Sequence, residues 1–245
     1  MEIITSLQNK KIKELNKLKD KKVRDKEDLF LVEGDHLVNE AYKMNQLKEV
    51  LCLESFSCDF DVPITYISDE VMKKLSNMKS ISNVIGVCKK FKTKGYGNRL
   101  VLLDGIQDPG NLGTIIRSSA CFNFDTIVLG LNTVDLYNDK VIRSTEGMIF
   151  HENIIQCDLE EFLKEIKKNN YTIYTTNVNT GKILNDIDFE EKIAIIIGNE
   201  GQGVSDISSY ADETLYIPMN KKCESLNASV ATSIIMYEVS KKDYE

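Results

Sequence analysis

The stretch LDGIQDPGNLGTIIR, residues 103–117, decides the fold of this chain. Its first residues complete an apolar run over 99–104, which predicts a buried strand, and residues 107–110 then supply turn formers. The apolar residues after Asn111 predict a helix that begins at Asn111, with this residue as its N-cap. A strand that passes through a short glycine-containing turn into a helix is typical of an α/β domain.

Two later stretches repeat this layout. IAIIIGNEGQG, residues 193–203, places Asn199 and Glu200 directly after a buried run, and IPMNKKCESLNAS, residues 217–229, joins a strand to a helix through a polar loop. Parallel strands leave their carboxyl ends at one edge of the sheet, where ligands of open α/β sheets bind. The polar residues of the three blocks therefore predict a binding site at that edge.

The remaining pattern predicts two domains. A small α/β domain covers residues 1–94, a glycine-containing linker covers 95–98, and an open, mostly parallel α/β domain covers 99–245. In the first domain the predicted helices are 6–20 with Ser6 as N-cap, 35–44 and 69–75, and the predicted strands are 29–32, 47–53, 64–67 and 83–91. In the second the predicted strands are 99–104, 126–130, 171–176, 193–198 and 214–217, and the predicted helices are 111–122, 138–147, 159–169 and from about 226 onward.

Composition excludes several classes of protein. The apolar and charged fractions are those of a soluble globular protein, no run approaches the length of a membrane span, and the N-terminus lacks the layout of a signal peptide. We therefore expect a cytoplasmic protein with no membrane association. Six scattered cysteines and two histidines are too dispersed for a zinc site, so no metal is predicted.

Charge is distributed unevenly along the chain. The net charge is −7, but residues 1–26 hold nine Lys or Arg against four acids, whereas residues 96–245 hold 13 against 23. A basic N-terminal segment on an acidic body fits a separate RNA-contacting surface. A solvated amphipathic helix over 6–20 would explain the same charges, so charge alone leaves both interpretations open.

Each block alone admits a purely structural explanation. Arg117 lies in an apolar run and is costly to bury without a partner, so either a salt bridge or a phosphate or ribose contact would account for it. Ser225 and Asn227 are cap-type residues, and Glu200 fits a tight turn. No Walker lysine follows the first block, and Asp206 breaks the dinucleotide pattern of the second.

In combination the blocks are specific. Asn-Leu-Gly-x-x-x-Arg, Gly-Asn-Glu-Gly-x-Gly and Ile-Pro-Met…Glu-Ser-Leu-Asn-x-Ser, in this order and each after a strand, resemble the three motifs of the SpoU/TrmH family of RNA ribose methyltransferases. Further matches lie in ITSLQN at 4–9, Lys13, Arg24 and FLVEG at 30–34, which are similar to the family's substrate-binding extension. The resemblance covers nearly the whole chain.

This resemblance implies a fold, a cofactor and a reaction. The N-terminal domain would be a ribosomal-protein-like RNA-binding module, and the second domain would contain a deep trefoil knot that binds S-adenosyl-L-methionine within a homodimer. The reaction would be methylation of a ribose 2′-hydroxyl, with ribosomal RNA of the large subunit, 23S rRNA, as the favoured substrate. Transfer RNA is the alternative substrate, and a non-catalytic RNA-binding assembly factor is the alternative class.

The resemblance also assigns roles to individual residues. The implied catalytic and ribose-binding residues are Asn111, Arg117, Glu200, Ser225 and Asn227. The implied cofactor contacts are Gly198, Ile217, Met219 and Leu226, and the implied RNA contacts are Lys10, Lys11, Lys13 and Arg24. The family assigns proton removal to Arg117, but a guanidinium has no acceptor atom, so a clamp on the hydroxyl or phosphate is the physically easier role. Lys221-Lys222-Cys223 departs from the small residues usual in the third motif.

Overall fold

A computed structural model describes residues 3–78 and 81–244 of the chain. These residues form eight α-helices: α1 Lys10–Asn16, α2 Lys21–Glu27, α3 Asp35–Lys43, α4 Asp69–Leu75, α5 Pro109–Cys121, α6 Asp139–Ser144, α7 Leu159–Lys168 and α8 Ala228–Ser240. They also form twelve strands: β1 Ile3–Ile4, β2 Leu29–Glu33, β3 Leu47–Cys52, β4 Ile64–Ile67, β5 Val84–Lys89, β6 Arg99–Asp104, β7 Thr126–Gly130, β8 Ile154–Cys157, β9 Thr172–Thr176, β10 Lys182–Ile183, β11 Ile193–Gly198 and β12 Glu213–Tyr216.

The chain divides into two compact units. The first contains the residues up to Lys92 together with Asp135–His151, and the second contains Thr93–Val134 and the residues from Glu152 onward. The division near residue 92 lies close to the linker predicted over 95–98, and the predicted domain bounds stay a prediction. The inclusion of Asp135–His151 in the first unit differs from that prediction, because contacts made by these side chains are not visible in local periodicity.

The first unit is built on a five-stranded mixed sheet of order β1-β4-β3-β5-β2. Strands β1, β4 and β3 are parallel, and β5 runs antiparallel to both β3 and β2. Its core includes Ile12, Leu15 and Leu18, the apolar stripe expected from the sequence. The helix predicted over 6–20 is shorter than expected, because the Asn9 side chain, not Ser6, caps α1 by accepting from Lys11 N at 2.9 Å.

Helix α2 was not predicted from the sequence. Asp20 adopts extended backbone angles and accepts from Lys22 N at 2.8 Å, so it ends the preceding turn and caps a new helix. Asp135–His151 joins this unit through aromatic packing, since Tyr137 lies 4.8 Å from Phe30 between ring centroids. His151 also contributes, with its Nε2 lying 2.7 Å from Glu40 Oε2.

The second unit is built on a seven-stranded sheet of order β10-β12-β9-β11-β6-β7-β8, and its six strand pairs are all parallel. The central strands are buried along their length, as the continuous apolar runs predict. Strands β8 and β10 were not predicted, because they lie at the two edges of the sheet and their apolar pattern is short. The α/β class with a mostly parallel sheet is confirmed, whereas the trefoil knot stays a prediction.

Strand register brings the first two blocks together. Gly198 at the end of β11 pairs with Asp104 at the end of β6, so the loops that follow leave the sheet side by side. Helix α5 begins two residues earlier than predicted, because Asp108 is its N-cap and accepts from Asn111 N at 2.8 Å, with Pro109 in the first turn. Asn111 therefore lies within the first turn of α5 and its side chain is free for other contacts.

Candidate active site

Asn111 is the centre of a hydrogen-bond network that joins the three blocks. It is 8% exposed, and its Nδ2 donates to Glu200 Oε1 at 2.6 Å. Its Oδ1 accepts from Asn227 Nδ2 at 2.9 Å. One residue from each block therefore takes part in a continuous chain of side-chain hydrogen bonds, and three of the five predicted catalytic residues lie together.

Asn227 is the N-cap of α8. Its Oδ1 accepts from Ser229 N at 2.9 Å and Val230 N at 3.3 Å, which satisfies backbone donors that the helix leaves unpaired. Ser229 is buried, and its Oγ lies 2.7 Å from Asn227 Oδ1 and 3.3 Å from Asn111 Oδ1. The capping and functional interpretations of Asn227 are thus compatible. Its side-chain oxygen accepts from the backbone of α8, and its side-chain nitrogen donates to Asn111.

The loop after β11 is held by its own residues. Asn199 Nδ2 donates to Gly105 O at 2.8 Å, which ties this loop to the loop after β6. Asn199 Oδ1 accepts from Gly201 N at 2.9 Å, and its backbone exchanges two hydrogen bonds with Gly203, both of 2.9 Å. The buried carboxylate of Asp104 accepts from Ser205 N at 2.8 Å. Glu200 therefore projects from a loop whose backbone is tightly fixed.

Gly198 is required by the close return of this loop. A Cβ at Gly198 would lie 2.1 Å from the carbonyl carbon of Gly203 and 2.2 Å from Val204 N, so no other residue fits without moving the backbone. Gly203 itself has a φ of +73°, a conformation that favours glycine. The cofactor contact predicted for Gly198 stays a prediction.

Arg117 lies on the solvent side of α5. Arg117 is exposed, whereas Asn111 on the same helix is buried. Among the described residues Arg117 has no hydrogen bond or ion pair, so the salt bridge that would have explained it is not formed. Helix α5 also packs on α8, where the hydroxyls of Ser118 and Ser233 lie 2.7 Å apart. The guanidinium is thus free to bind an anion or a hydroxyl.

The third loop leaves apolar side chains partly uncovered. Ile217, Met219 and Leu226 are each of intermediate burial, and Ser225 is exposed and lies outside α8. Ser225 makes no hydrogen bond within the described part of the chain, so it does not join the Asn111 network. Residues 221–223 are also exposed. Half-buried apolar side chains beside fixed backbone groups suit a ligand with both an apolar ring and polar atoms.

The four predicted RNA contacts differ in their surroundings. Lys10 and Lys13 are exposed on α1, whereas Lys11 Nζ is paired with Glu49 and donates to Thr65 Oγ1 at 2.8 Å. Arg24 is only 7% exposed. The guanidinium of Arg24 donates to Leu18 O and Lys19 O, both at 2.8 Å, and pairs with Asp135. This geometry gives Arg24 a structural role within the first unit, and its contact with RNA stays a prediction.

Sequence reasoning missed three residues of the site. Asp104, Asn199 and Ser229 fix the loops and the Asn111 network, although none was assigned an individual role from the sequence. Their positions in the sequence could have indicated this role. Asp104 ends a strand, and Asn199 and Ser229 lie within two residues of a predicted site residue. No group of three or more His, Cys, Asp or Glu among the described residues could hold a metal ion. No helix in the described ranges is long and apolar enough to cross a membrane.

Comparison with known proteins agrees with this geometry. The profile of the SpoU rRNA methylase family matches residues 98–237, and that of the MRM3-like substrate-binding domain matches residues 9–86. A 23S rRNA (guanosine(2553)-2′-O)-methyltransferase, RlmP of Bacillus subtilis, is 34% identical over 98% of this chain and 99% of its own length. A putative TrmH family tRNA/rRNA methyltransferase of Staphylococcus epidermidis is 33% identical over 64% of each chain.

Solved structures share the fold over the full length. The AdoMet-bound rRNA methyltransferase from Sinorhizobium meliloti superposes with a TM-score of 0.87 at 24% identity, covering 98% of both chains. An RNA 2′-O ribose methyltransferase superposes with a TM-score of 0.84 at 25% identity, covering 100% of both chains. Since the family profile spans more than half of the chain and a relative matches nearly all of it, the chain belongs to the SpoU rRNA methylase family.

Proposed function

We propose that this protein methylates a ribose 2′-hydroxyl in 23S ribosomal RNA, with S-adenosyl-L-methionine as methyl donor, and that it does so in the cytoplasm. The observation that carries the proposal is the hydrogen-bond chain Glu200–Asn111–Asn227, which draws one polar side chain from each block to the carboxyl edge of the sheet. The RlmP relative supports the substrate, because it matches this chain at 34% identity from end to end and is a 23S rRNA 2′-O-methyltransferase.

The second and third loops fit the proposed cofactor. The loop after β11 returns closely on Gly198 and is fixed by two backbone hydrogen bonds between Asn199 and Gly203, which suits a preformed binding loop. Ile217, Met219 and Leu226 offer half-buried apolar surface for an adenine ring. When bound, the sulfonium of S-adenosyl-L-methionine supplies an electrophilic methyl group. The protein's own task is then to orient the ribose and to assist removal of its proton.

Arg117 is proposed to clamp the RNA at the reacting nucleotide. Its guanidinium is exposed and unpaired among the described residues, and it presents planar donors that suit a phosphate or a hydroxyl oxygen. It has no acceptor atom, so we do not assign it proton removal. Ser225, exposed in the third loop, is proposed as a further ribose contact on the strength of the motif alone.

The first unit is proposed to bind the RNA through α1 and α2. Lys10 and Lys13 are exposed there, and the lysines at 17, 21, 22 and 26 are exposed beside them. Exposed lysines attract the phosphate backbone and release counterions when RNA binds. Lys19 contributes less to this surface, since its Nζ donates to Lys74 O and Ser76 O and burial lowers the pKa of its ammonium.

A homodimer is proposed through the outer face of α8. Val230, Ile234 and Tyr237 are 46%, 37% and 54% exposed, and their spacing of four and three residues puts them on one side of the helix. Phe122 extends this apolar surface, because its ring lies 5.8 Å from that of Tyr237. The family resemblance predicts a second copy of the chain as the partner that covers it.

A methyl-transfer assay tests the proposed function. Purified protein is incubated with methyl-labelled S-adenosyl-L-methionine and with unmodified 23S rRNA or unmodified transfer RNA, and the RNA is then hydrolysed with alkali. Because a 2′-O-methyl group blocks cleavage at its own nucleotide, we expect label in alkali-resistant dinucleotides from 23S rRNA.

Other outcomes contradict the proposal in distinct ways. Label in mononucleotides would mean that a base is the acceptor, and label only in transfer RNA would overturn the proposed substrate. Binding of RNA without binding of S-adenosyl-L-methionine would favour a non-catalytic assembly factor.

A further inference from the structure

The cap of α8 fixes the direction of the hydrogen-bond chain in the site. Asn227 Oδ1 accepts from two backbone N–H groups, Ser229 N at 2.9 Å and Val230 N at 3.3 Å. A backbone N–H can only donate, so the atom that faces it must be the amide oxygen. The other end of the Asn227 amide, its Nδ2, is therefore a donor and faces Asn111.

The orientation of the Asn111 amide then determines which of its atoms faces Glu200. Asn111 must present its oxygen to Asn227 Nδ2, at 2.9 Å, so its own Nδ2 faces Glu200 Oε1 at 2.6 Å. The hydroxyl of Ser229 has one proton to donate and lies closer to Asn227 Oδ1, at 2.7 Å, than to Asn111 Oδ1, at 3.3 Å, so it adds a further donor to the Asn227 oxygen. Oε1 of Glu200 therefore accepts a hydrogen bond from Asn111, which anchors this end of the carboxylate.

The second carboxylate oxygen of Glu200 is left open. Glu200 is exposed, and among the described residues its Oε2 has no hydrogen bond or ion pair. Arg117, the other charged member of the site, cannot accept a proton. Asn111 and Asn227 use their amide oxygens within the network. Among these four residues, an anchored side chain with an acceptor oxygen that is still open is found only at Glu200.

We propose that Glu200 Oε2 accepts the proton of the target ribose 2′-hydroxyl during methyl transfer, an inference that rests on the proposed function. The O–H bond breaks toward Oε2 while the 2′-oxygen forms a bond to the methyl carbon. The electron pair of the S–C bond that breaks returns to sulfur, so the sulfonium becomes a neutral thioether. The products are the 2′-O-methyl ribose and a protonated Glu200, which then loses its proton to water.

Proton and methyl transfer are coupled in this step. A carboxylate is a far weaker base than a ribose alkoxide, so it does not deprotonate the hydroxyl beforehand. It can instead take the proton as the new O–C bond forms, which is general-base catalysis. Arg117 then has the separate task of holding the RNA.

Glu200→Gln is the informative variant. Gln keeps an oxygen to accept from Asn111 Nδ2 but replaces the open carboxylate oxygen by an NH₂ group, which can only donate. We expect kcat to fall by about 100-fold or more, as removal of a general base does. The dissociation constant of the cofactor product S-adenosyl-L-homocysteine is expected to stay unchanged.

Glu191→Gln is the matched control. Glu191 is also exposed and also accepts from a side-chain amide, Asn98 Nδ2 at 3.1 Å. It lies before β11, however, whereas Glu200 lies after that strand. This variant is expected to retain full activity. Wild-type kcat in Glu200→Gln, in a protein that methylates 23S rRNA, would overturn the inference and leave the proposed function intact. Absence of methyl transfer by the wild type would overturn both.

A binding measurement tests the same contact without turnover. With S-adenosyl-L-homocysteine bound, the wild type is compared on an RNA fragment with a ribose and with a 2′-deoxyribose at the methylated position. Loss of one hydrogen bond to a charged acceptor predicts about tenfold weaker binding of the deoxy fragment. Glu200→Gln should lose this discrimination, whereas Glu191→Gln should retain it. Equal discrimination by all three proteins would overturn the inference.

Discussion

Asn111 and Glu200 are 89 residues apart in the chain and are joined by a hydrogen bond of 2.6 Å. The contact exists because β6 and β11 are parallel neighbours whose last residues, Asp104 and Gly198, are paired in register. It links the first turn of α5 to the tip of the loop after β11. The same Asn111 side chain reaches Asn227 at the start of α8, so the position of Glu200 depends on a helix cap in another part of the sequence.

Replacement of Asn227 by alanine should affect both stability and activity. Loss of the cap of α8 is expected to lower the free energy of unfolding by about 1 kcal/mol. Loss of the donor to Asn111 is expected to lower kcat as well. Asp158→Ala is the control, since Asp158 caps α7 by accepting from Glu161 N at 3.0 Å. The control should lose similar stability in urea denaturation but keep its activity. An equal loss of kcat in both variants would mean that Asn227 acts only as a helix cap.

Replacement of Arg117 by alanine should abolish turnover without unfolding the protein. The side chain is exposed and has no partner among the described residues, so its removal is expected to change the free energy of unfolding by no more than about 0.5 kcal/mol. Steady-state methyl transfer should fall by at least about 100-fold, as for loss of a group that positions the reacting atoms. Calorimetry should find binding of S-adenosyl-L-homocysteine unchanged. Wild-type-like turnover would remove Arg117 from the active site.

Replacement of Gly198 by alanine should displace the loop that follows β11. The new Cβ would lie 2.1 Å from the carbonyl carbon of Gly203, and both groups are backbone-bound and cannot rotate away. We expect loss of S-adenosyl-L-homocysteine binding in calorimetry and a lower thermal midpoint. Gly201→Ala is the control in the same loop, because its nearest neighbour, Asn199 Oδ1, would be 3.5 Å away. Normal binding by Gly198→Ala would show that this loop does not hold the cofactor.

Replacement of Ile234 by glutamate should prevent the proposed dimer. A charge at the centre of the exposed face of α8 would be buried without a partner if two copies met there. Sedimentation should find a dimer for the wild type and a folded monomer for the variant. Ile183→Glu is the control, since Ile183 is 42% exposed at the far edge of the sheet. A wild-type monomer, or a dimer in Ile234→Glu, would contradict this interface.

The stability of the first unit should depend on acid through Glu40. The Lys43 ammonium and the His151 imidazole, each 2.7 Å from its carboxylate, hold the pKa of Glu40 below its usual value. The unfolded chain therefore binds more protons here than the folded one as pH falls below about 4.3, and stability is lost through that window. Glu40→Gln should flatten this part of a plot of unfolding free energy against pH. An unchanged slope would mean that the contacts of Glu40 with Lys43 and His151 do not contribute to the acid dependence of stability.

Periodicity located the elements that are regular along the chain. Apolar runs of five or six residues located β6, β7 and β11 to within a residue, because a strand buried on both faces is apolar at every position. Helices with one apolar face, such as α7, were equally well located. Short edge strands and the interruption at Asp20 were missed, since a two-residue strand or a single capping residue carries little periodic signal.

The sequence by itself determined that this is a parallel α/β protein with polar residues after its strands, and the order of three motifs determined the family. Only the tertiary structure decided which of those residues meet. Asn111 is buried and bonded to Glu200 and Asn227, whereas Arg117 is exposed on the same helix and Arg24 is enclosed within the first unit. The physical reason is that a hydrogen bond depends on distances of a few tenths of an ångström between strands and helices remote in sequence. No local pattern of residues specifies those distances.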